Sequence, residues 1–126
     1  PAYGIMKGGL NSPISKSMRK HWIPLFDQFG LDAAFENDHH VYKRSKLLKG
    51  DKTDPTGTLY IGDGAWGVNT RKPGAKEYWY VEKFEPTRHV IEVEIKDNVR
   101  TYRAINHDKK VFDEFVDKRD AKKKSN

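Results

Sequence analysis

Residues 90–105 read VIEVEIKDNVRTYRAI, and this stretch decides the fold class. Apolar and polar residues alternate on both sides of Asp97-Asn98, the period of a strand with two unlike faces. Asp and Asn tolerate positive φ, so a two-residue turn here predicts a β-hairpin. Such a turn fixes the register: Lys96 faces Val99, Glu94 faces Thr101 and Glu92 faces Arg103. Ile91, Val93, Ile95, Tyr102 and Ala104 then share one face. Glu92, Glu94, Lys96, Thr101 and Arg103 share the other.

The same period extends upstream. Leu59-Tyr60-Ile61 and Trp66-Gly67-Val68 flank Asp63-Gly64, which predicts a second hairpin. Tyr78 to Phe84 alternates and is rich in aromatics, and Val41-Tyr42 suggests a short strand. Asp51 to Gly57 (DKTDPTG) and Arg71 to Ala75, with Pro73 and Gly74, are loop signals. At the start of the chain the period is helical. Ser12 is a capping residue before Pro13, and Ile14, Met18, Trp22, Leu25 and Phe29 recur at steps of three and four. Pro24 predicts a break and Gly30 a C-terminal stop. After Asn106 the period turns helical again. Val111, Phe112, Phe115 and Val116 form a stripe, with Glu114 and Lys118 as an i,i+4 pair.

The expected architecture is therefore α+β. One antiparallel sheet of about four to six strands is flanked by an N-terminal and a C-terminal helix, because the strands run consecutively. A single domain over residues 1–117 is expected, with residues 1–12 a flexible glycine-rich arm and 118–126 a basic tail.

Composition narrows the function. The chain has 126 residues, with 24 Lys plus Arg against 18 Asp plus Glu and no cysteine. That excludes disulfides, thiolate ligands and a cysteine nucleophile. No apolar run approaches the ~20 residues of a spanning helix, so no membrane partner is expected. No secretory leader is visible before Leu10. The formal charge of +6 sits at the two ends. Residues 1–50 hold eight basic and four acidic residues, 51–117 eleven and thirteen, and 118–126 five and one. Such a distribution favours an anionic partner, nucleic acid foremost. A protein partner engaging the N-terminal arm or the C-terminal tail is the other expectation.

Two constellations could cut a phosphodiester. Glu94-Ile95-Lys96 has the spacing seen in metal-dependent nucleases of the PD-(D/E)xK type. There the carboxylate binds a divalent cation such as Mg²⁺ and the lysine positions water. The Pro-Asp pair that precedes this motif in those enzymes is absent. The second constellation is histidine-centred: His39 and His40 before Lys43 and Arg44, and His89 at a strand start. Metal-independent RNA cleavage needs an acid, a base and a cation, which these residue types supply. In architecture alone the chain resembles small toxin-like ribonucleases. Lys43, Arg44, Lys46 and Arg103 are candidate phosphate contacts, as are Lys122, Lys123 and Lys124 of the tail. Trp79, within Tyr78-Trp79-Tyr80, is a candidate base-stacking residue. No phosphate-binding glycine loop, nucleophile elbow or His-Glu-x-x-His helix occurs. The expectation is a small toxin-like or phage-like nuclease acting on RNA or DNA. The alternatives are a non-catalytic nucleic-acid binder, or a viral assembly or inhibitor protein. The expected setting is cytoplasmic, viral, or a target cell into which the protein is delivered.

Overall fold

A computed structural model describes residues 1–120. The fold is α+β, with one bent N-terminal helix and two sheets of mainly antiparallel strands. The helix has two segments, α1 (Pro13–His21) and α2 (Ile23–Phe29). The Ser12 hydroxyl accepts from the Ser15 amide at 3.2 Å, and Pro13 occupies a position where no amide donor is needed. Pro24 cannot continue the ladder, so the axis breaks at Trp22. Gly30, at φ 63°, closes α2, and its amide donates to the Phe26 carbonyl.

The first sheet contains β1 (Ala33–Asn37), β2 (Tyr42–Lys49), β3 (Lys52–Thr53), β4 (Thr58–Asp63) and β5 (Val81–Glu85). Its order is β1-β4-β2-β3, and β5 also pairs with β2. The β1–β4 pairing is parallel and the other pairings are antiparallel. The second sheet is β6 (His89–Lys96), β7 (Val99–Asn106) and β8 (Val111–Asp117), paired in that order.

Alternation gives the first sheet two buried faces. Val41, Leu48 and Tyr60 pack with Ile23, Tyr80 and the N-terminal residues Ala2, Tyr3 and Ile5. On the opposite face Tyr42, Leu59 and Ile61 meet Tyr102 and Ala104 of β7, with Phe112 and Phe115 beside them. The result is three layers: helix with N-terminal segment, five-stranded sheet, three-stranded sheet.

The β6–β7 hairpin has the register its turn dictates, with Lys96 opposite Val99, Glu94 opposite Thr101 and Glu92 opposite Arg103. Asp97 and Asn98 hold φ values of 49° and 65°, as a type I′ turn requires.

Several expectations are corrected. Asp63-Gly64 is not a hairpin turn. Both edges of β4 are occupied, by β1 and β2, so a returning strand has no edge to join. Trp66 and Val68 consequently lie in an exposed loop. The C-terminal helix is instead strand β8, part of a second sheet where one sheet was expected. Asp113 faces Ala104 but Val111 faces Ile105, so Phe112 is an extra residue in a bulge. Asp113, Phe115 and Asp117 point inward, while Val111 and Val116 are exposed. Two aspartates at inward positions disguise the period of two as a helical stripe.

Residues 1–12 are not an arm, because Ala2, Tyr3 and Ile5 are core residues with at most 1% exposure. The helical stripe also changes phase at the break. Met18, Ile23 and Phe26 face the core, whereas Ile14, Trp22, Leu25 and Phe29 are exposed. Of the stretch expected as a tail, residues 121–126 lie outside the described residues, and Arg119 is pinned. The Arg119 guanidinium donates to Asp117 at 2.6 Å and to the Gly57 carbonyl.

The N-terminal segment is held by a buried ion pair. Glu36 on β1 and Lys43 on β2 both lie beside Gly62 of β4. The strands are two apart, and the two side chains meet over the one position between them that carries no side chain. Lys43 Nζ donates to Glu36 Oε2, and to the Tyr3 carbonyl at 2.7 Å. Glu36 Oε1 accepts from the Ala2 amide at 2.5 Å and the Tyr3 amide at 3.3 Å. Burial opposes the Glu36 charge, but the Lys43 charge and these hydrogen bonds outweigh it, and the carboxyl pKa is lowered.

Candidate nucleic-acid interface

Glu94 and Lys96 stand on the polar face of β6, as their register requires. The Glu94 carboxylate is engaged, however. Arg103 Nη1 donates to Glu94 at 3.1 Å and to Glu92 at 3.0 Å, and its Nε donates to Glu114 at 2.8 Å. Donation to these three carboxylates raises the guanidinium pKa further. Arg103 is therefore an internal counter-ion for three glutamates rather than an open phosphate contact. Among the described residues no group of three or more His, Asp or Glu side chains could hold a metal ion.

The histidines serve separate local roles. His89 is 5% exposed, its Nδ1 lies 2.9 Å from the Thr87 carbonyl, and its ring meets Tyr42 edge-on at 5.1 Å. His39 Nδ1 accepts from the Ile5 amide at 3.3 Å. His40 holds φ 57° in the β1–β2 connection, and its carbonyl accepts from the Arg71 amide.

The basic run on β2 divides by face. Lys43 is fully buried against Glu36, which removes it as a surface phosphate contact. Arg44 forms a two-pronged pair with Asp113, at 2.7 and 3.1 Å, and lies over the Phe115 ring. The Tyr42 hydroxyl donates to the same carboxylate at 2.6 Å. Burial raises the Asp113 pKa, but the donors from Arg44 and Tyr42 prevail and lower it. Lys122, Lys123 and Lys124 lie outside the described residues.

Lys46 and Trp79 are brought together. They line a groove of about 650 Å³ with Lys76, Tyr78, Lys83 and Phe84, and Glu77 and Glu82 also border it. A neighbouring hollow of about 470 Å³ shares Lys46 and Glu82 and reaches Arg44, Thr53 and Pro55. The two hollows adjoin at Lys46 and Glu82.

Local chemistry builds this groove. The register of β2 shifts on both sides after Arg44, a bulge that re-aims Lys46. The Lys46 amide donates to the Tyr80 carbonyl at 3.0 Å, which ties the 78–80 turn to β2. Tyr78-Trp79-Tyr80 is this turn and not a strand, since β5 begins at Val81. The Tyr78 hydroxyl donates to the Ile5 carbonyl, and the Tyr80 hydroxyl to the Gly4 carbonyl, both at 2.5 Å. Both tyrosines therefore point into the N-terminal core, and Trp79 between them points out, 47% exposed. Its ring rests edge-on against Tyr80 at 5.4 Å. Two fixed neighbours thus hold an exposed indole in place, an arrangement that lowers the ordering cost of stacking.

Lys83 Nζ donates to the Phe112 carbonyl and sits 5.6 Å from that ring centre. The groove holds three lysines against two glutamates. Lys76 and Lys83 were not singled out in the sequence. The available signal was their position on either side of the aromatic run, in KEYWYVEK (76–83).

No protein-family model matches the chain, and comparison with curated proteins finds no match. Among solved structures it is similar to a purple acid phosphatase from yellow lupin (Lupinus luteus) seeds, with a TM-score of 0.68 and 14% identity. That likeness covers 73% of this chain and 18% of the phosphatase, so it concerns the fold alone.

Proposed function

We propose that the protein binds single-stranded nucleic acid in the groove beside Lys46 and Trp79, with Trp79 stacking on a base and Lys46 and Lys76 neutralising phosphates. The observation that carries this reading is the fixed, outward Trp79 in a groove with three lysines. An indole face accepts any unpaired base, whereas a base within a duplex is already stacked. Tyrosine and lysine around the indole complete the usual combination of π-face and positive field. The formal charge of +6 acts in the same direction at longer range.

The test is a titration of labelled single-stranded RNA and DNA, followed by anisotropy and by tryptophan fluorescence. Replacing Trp79 by Ala should weaken binding roughly 5- to 150-fold, the equivalent of ~1–3 kcal/mol of stacking. Unchanged affinity in a folded Trp79→Ala protein would remove the groove from the account. The same mixtures, run with Mg²⁺ and with EDTA, address cleavage. Cleavage that EDTA blocks and Glu94→Gln abolishes would replace this reading by metal-dependent catalysis at Glu94 and Lys96. EDTA-resistant RNA cleavage would direct attention to His39, His40 and His89.

A further inference from the structure

Two carboxylates border the groove that holds Trp79, those of Glu77 and Glu82. Among the described residues, neither makes a side-chain hydrogen bond or an ion pair. Beside bound phosphates an unpaired carboxylate is repulsive, unless it faces donors on the ligand.

Glu82 is the one that the backbone aims. The ladder between β2 and β5 pairs Arg44 with Lys83 and then Ser45 with Val81, so Glu82 is an extra residue in β5. A bulge of this kind re-aims a side chain out of the regular alternation. The neighbours on either side go elsewhere: Lys83 reaches the Phe112 carbonyl, and Val81 packs against the core. Glu82 is left exposed, where the Trp79 groove adjoins the hollow lined by Leu47, Pro55 and Phe115. One hollow is thus lined by a π-face, at Trp79, and by a pair of acceptor oxygens, at Glu82.

We propose that Glu82 reads the base that Trp79 stacks and selects guanine, an inference that rests on the groove binding proposed above. A carboxylate only accepts, and its two oxygens take two parallel donors. Guanine offers such a pair on its Watson–Crick edge, N1–H and N2–H. Adenine and cytosine each offer one amino donor there, beside a ring-nitrogen acceptor that a carboxylate repels. Uracil and thymine offer N3–H between two carbonyl oxygens. In a single strand this edge is open to contact. The lysines then serve the phosphates and Glu82 the base.

Short oligouridines with one central guanosine, inosine, adenosine or cytidine test the proposal by anisotropy. Adenosine controls for purine stacking, and inosine lacks only the N2 amino group. The wild type should bind the guanosine strand at least about fivefold more tightly than the adenosine strand, the lower end for a two-pronged contact because Glu82 is exposed. Inosine should lose most of that preference. Glu82→Gln keeps the side chain's size but sets an amide donor against a guanine donor. Its guanosine preference should fall to near one, while the adenosine strand binds as well as before or more tightly. Circular dichroism confirms that each variant keeps its sheet. A wild type without guanosine preference overturns the proposal. So does a folded Glu82→Gln protein that keeps the preference, or that loses affinity for every strand alike. Trp79→Ala separates the two claims. If it weakens binding and no strand is preferred, the groove stands and the guanine reading falls; if binding is unchanged, both fall. Guanosine monophosphate carries the base but no flanking phosphates, so it should displace the guanosine strand only at far higher concentration. Equal potency would make a free nucleotide the ligand and overturn the reading of a base within a strand.

Discussion

Replacing Lys43 by Met is expected to lower the unfolding free energy by about 3–5 kcal/mol at neutral pH, as read by urea denaturation. Methionine keeps most of the volume but removes the ammonium between Glu36 and the Tyr3 carbonyl. Glu36 is then left as a buried carboxylate whose remaining donors are the Ala2 and Tyr3 amides. Uncompensated buried charge, rather than lost attraction, dominates this cost. The double variant Glu36→Gln/Lys43→Met should lose less than the sum of the two singles, because its amide still accepts from those backbone donors.

The pH dependence has a definite sign. In the wild type the folded Glu36 pKa is lowered, so its stabilisation is full above the unfolded carboxylate value of ~4.3 and fades as pH falls through the folded value. Asp117 behaves alike. Burial works against its charge, but donors from Arg119 and the Arg119 and Arg100 charges hold its pKa at about 2. Wild-type stability should therefore fall below about pH 4.5. In Lys43→Met burial acts on Glu36 without its cation, so the folded pKa rises and protonation favours the fold. The stability gap between the two proteins should be widest at neutral pH and narrow toward pH 4. A gap independent of pH would mean that Glu36 is not the group left behind.

Gly62→Ala should be nearly as damaging, with a loss of at least ~2 kcal/mol. A Cβ at this position would lie 2.2 Å from the Glu36 carbonyl oxygen. That oxygen belongs to the backbone of the neighbouring strand, so no side-chain rotation relieves the contact. The backbone also holds φ at 136°, which L side chains rarely adopt. β1 would have to move off β4, carrying Glu36 away from Lys43. The consequence should reach the groove, since Glu36 and Lys43 anchor Ala2 and Tyr3. Gly4 and Ile5, next in sequence, receive the Tyr80 and Tyr78 hydroxyls that orient Trp79. A Gly62→Ala protein with wild-type stability would show that this close approach is not a constraint.

The features that could be read from sequence are those set by neighbours along the chain. Ser12-Pro13, Pro24 and Gly30 define the bent helix through local backbone chemistry, and Asp97-Asn98 defines a hairpin and its register. What could not be read depends on distant partners. Lys43 is indistinguishable from Arg44 or Lys46 until β4 brings Gly62 between it and Glu36. Asp113 and Asp117 are acceptable on an inward face only because Arg44, Tyr42, Arg100 and Arg119 reach them. Their polarity concealed β8. Residues 1–12 lack any period because Ala2 to Ile5 are buried as irregular chain, with Glu36, Lys43, Tyr78 and Tyr80 satisfying their backbone groups. In the groove, Lys46 and Trp79 were legible as a basic residue and an exposed aromatic. Their proximity was not, because it rests on a bulge in β2 and on the hydrogen bond from Lys46 to Tyr80.

The most direct measurement of the central claim is the salt dependence of single-strand binding in the wild type, in Lys46→Gln/Lys76→Gln, and in a chain lacking residues 121–126. Each phosphate contact on a single strand contributes about 0.7 to the log–log slope. The account predicts that the double groove variant loses roughly 1.4 from the slope and binds more weakly at every salt concentration. A groove variant with wild-type slope and affinity, alongside a truncated chain that no longer binds, would place binding in the C-terminal lysines and contradict the groove.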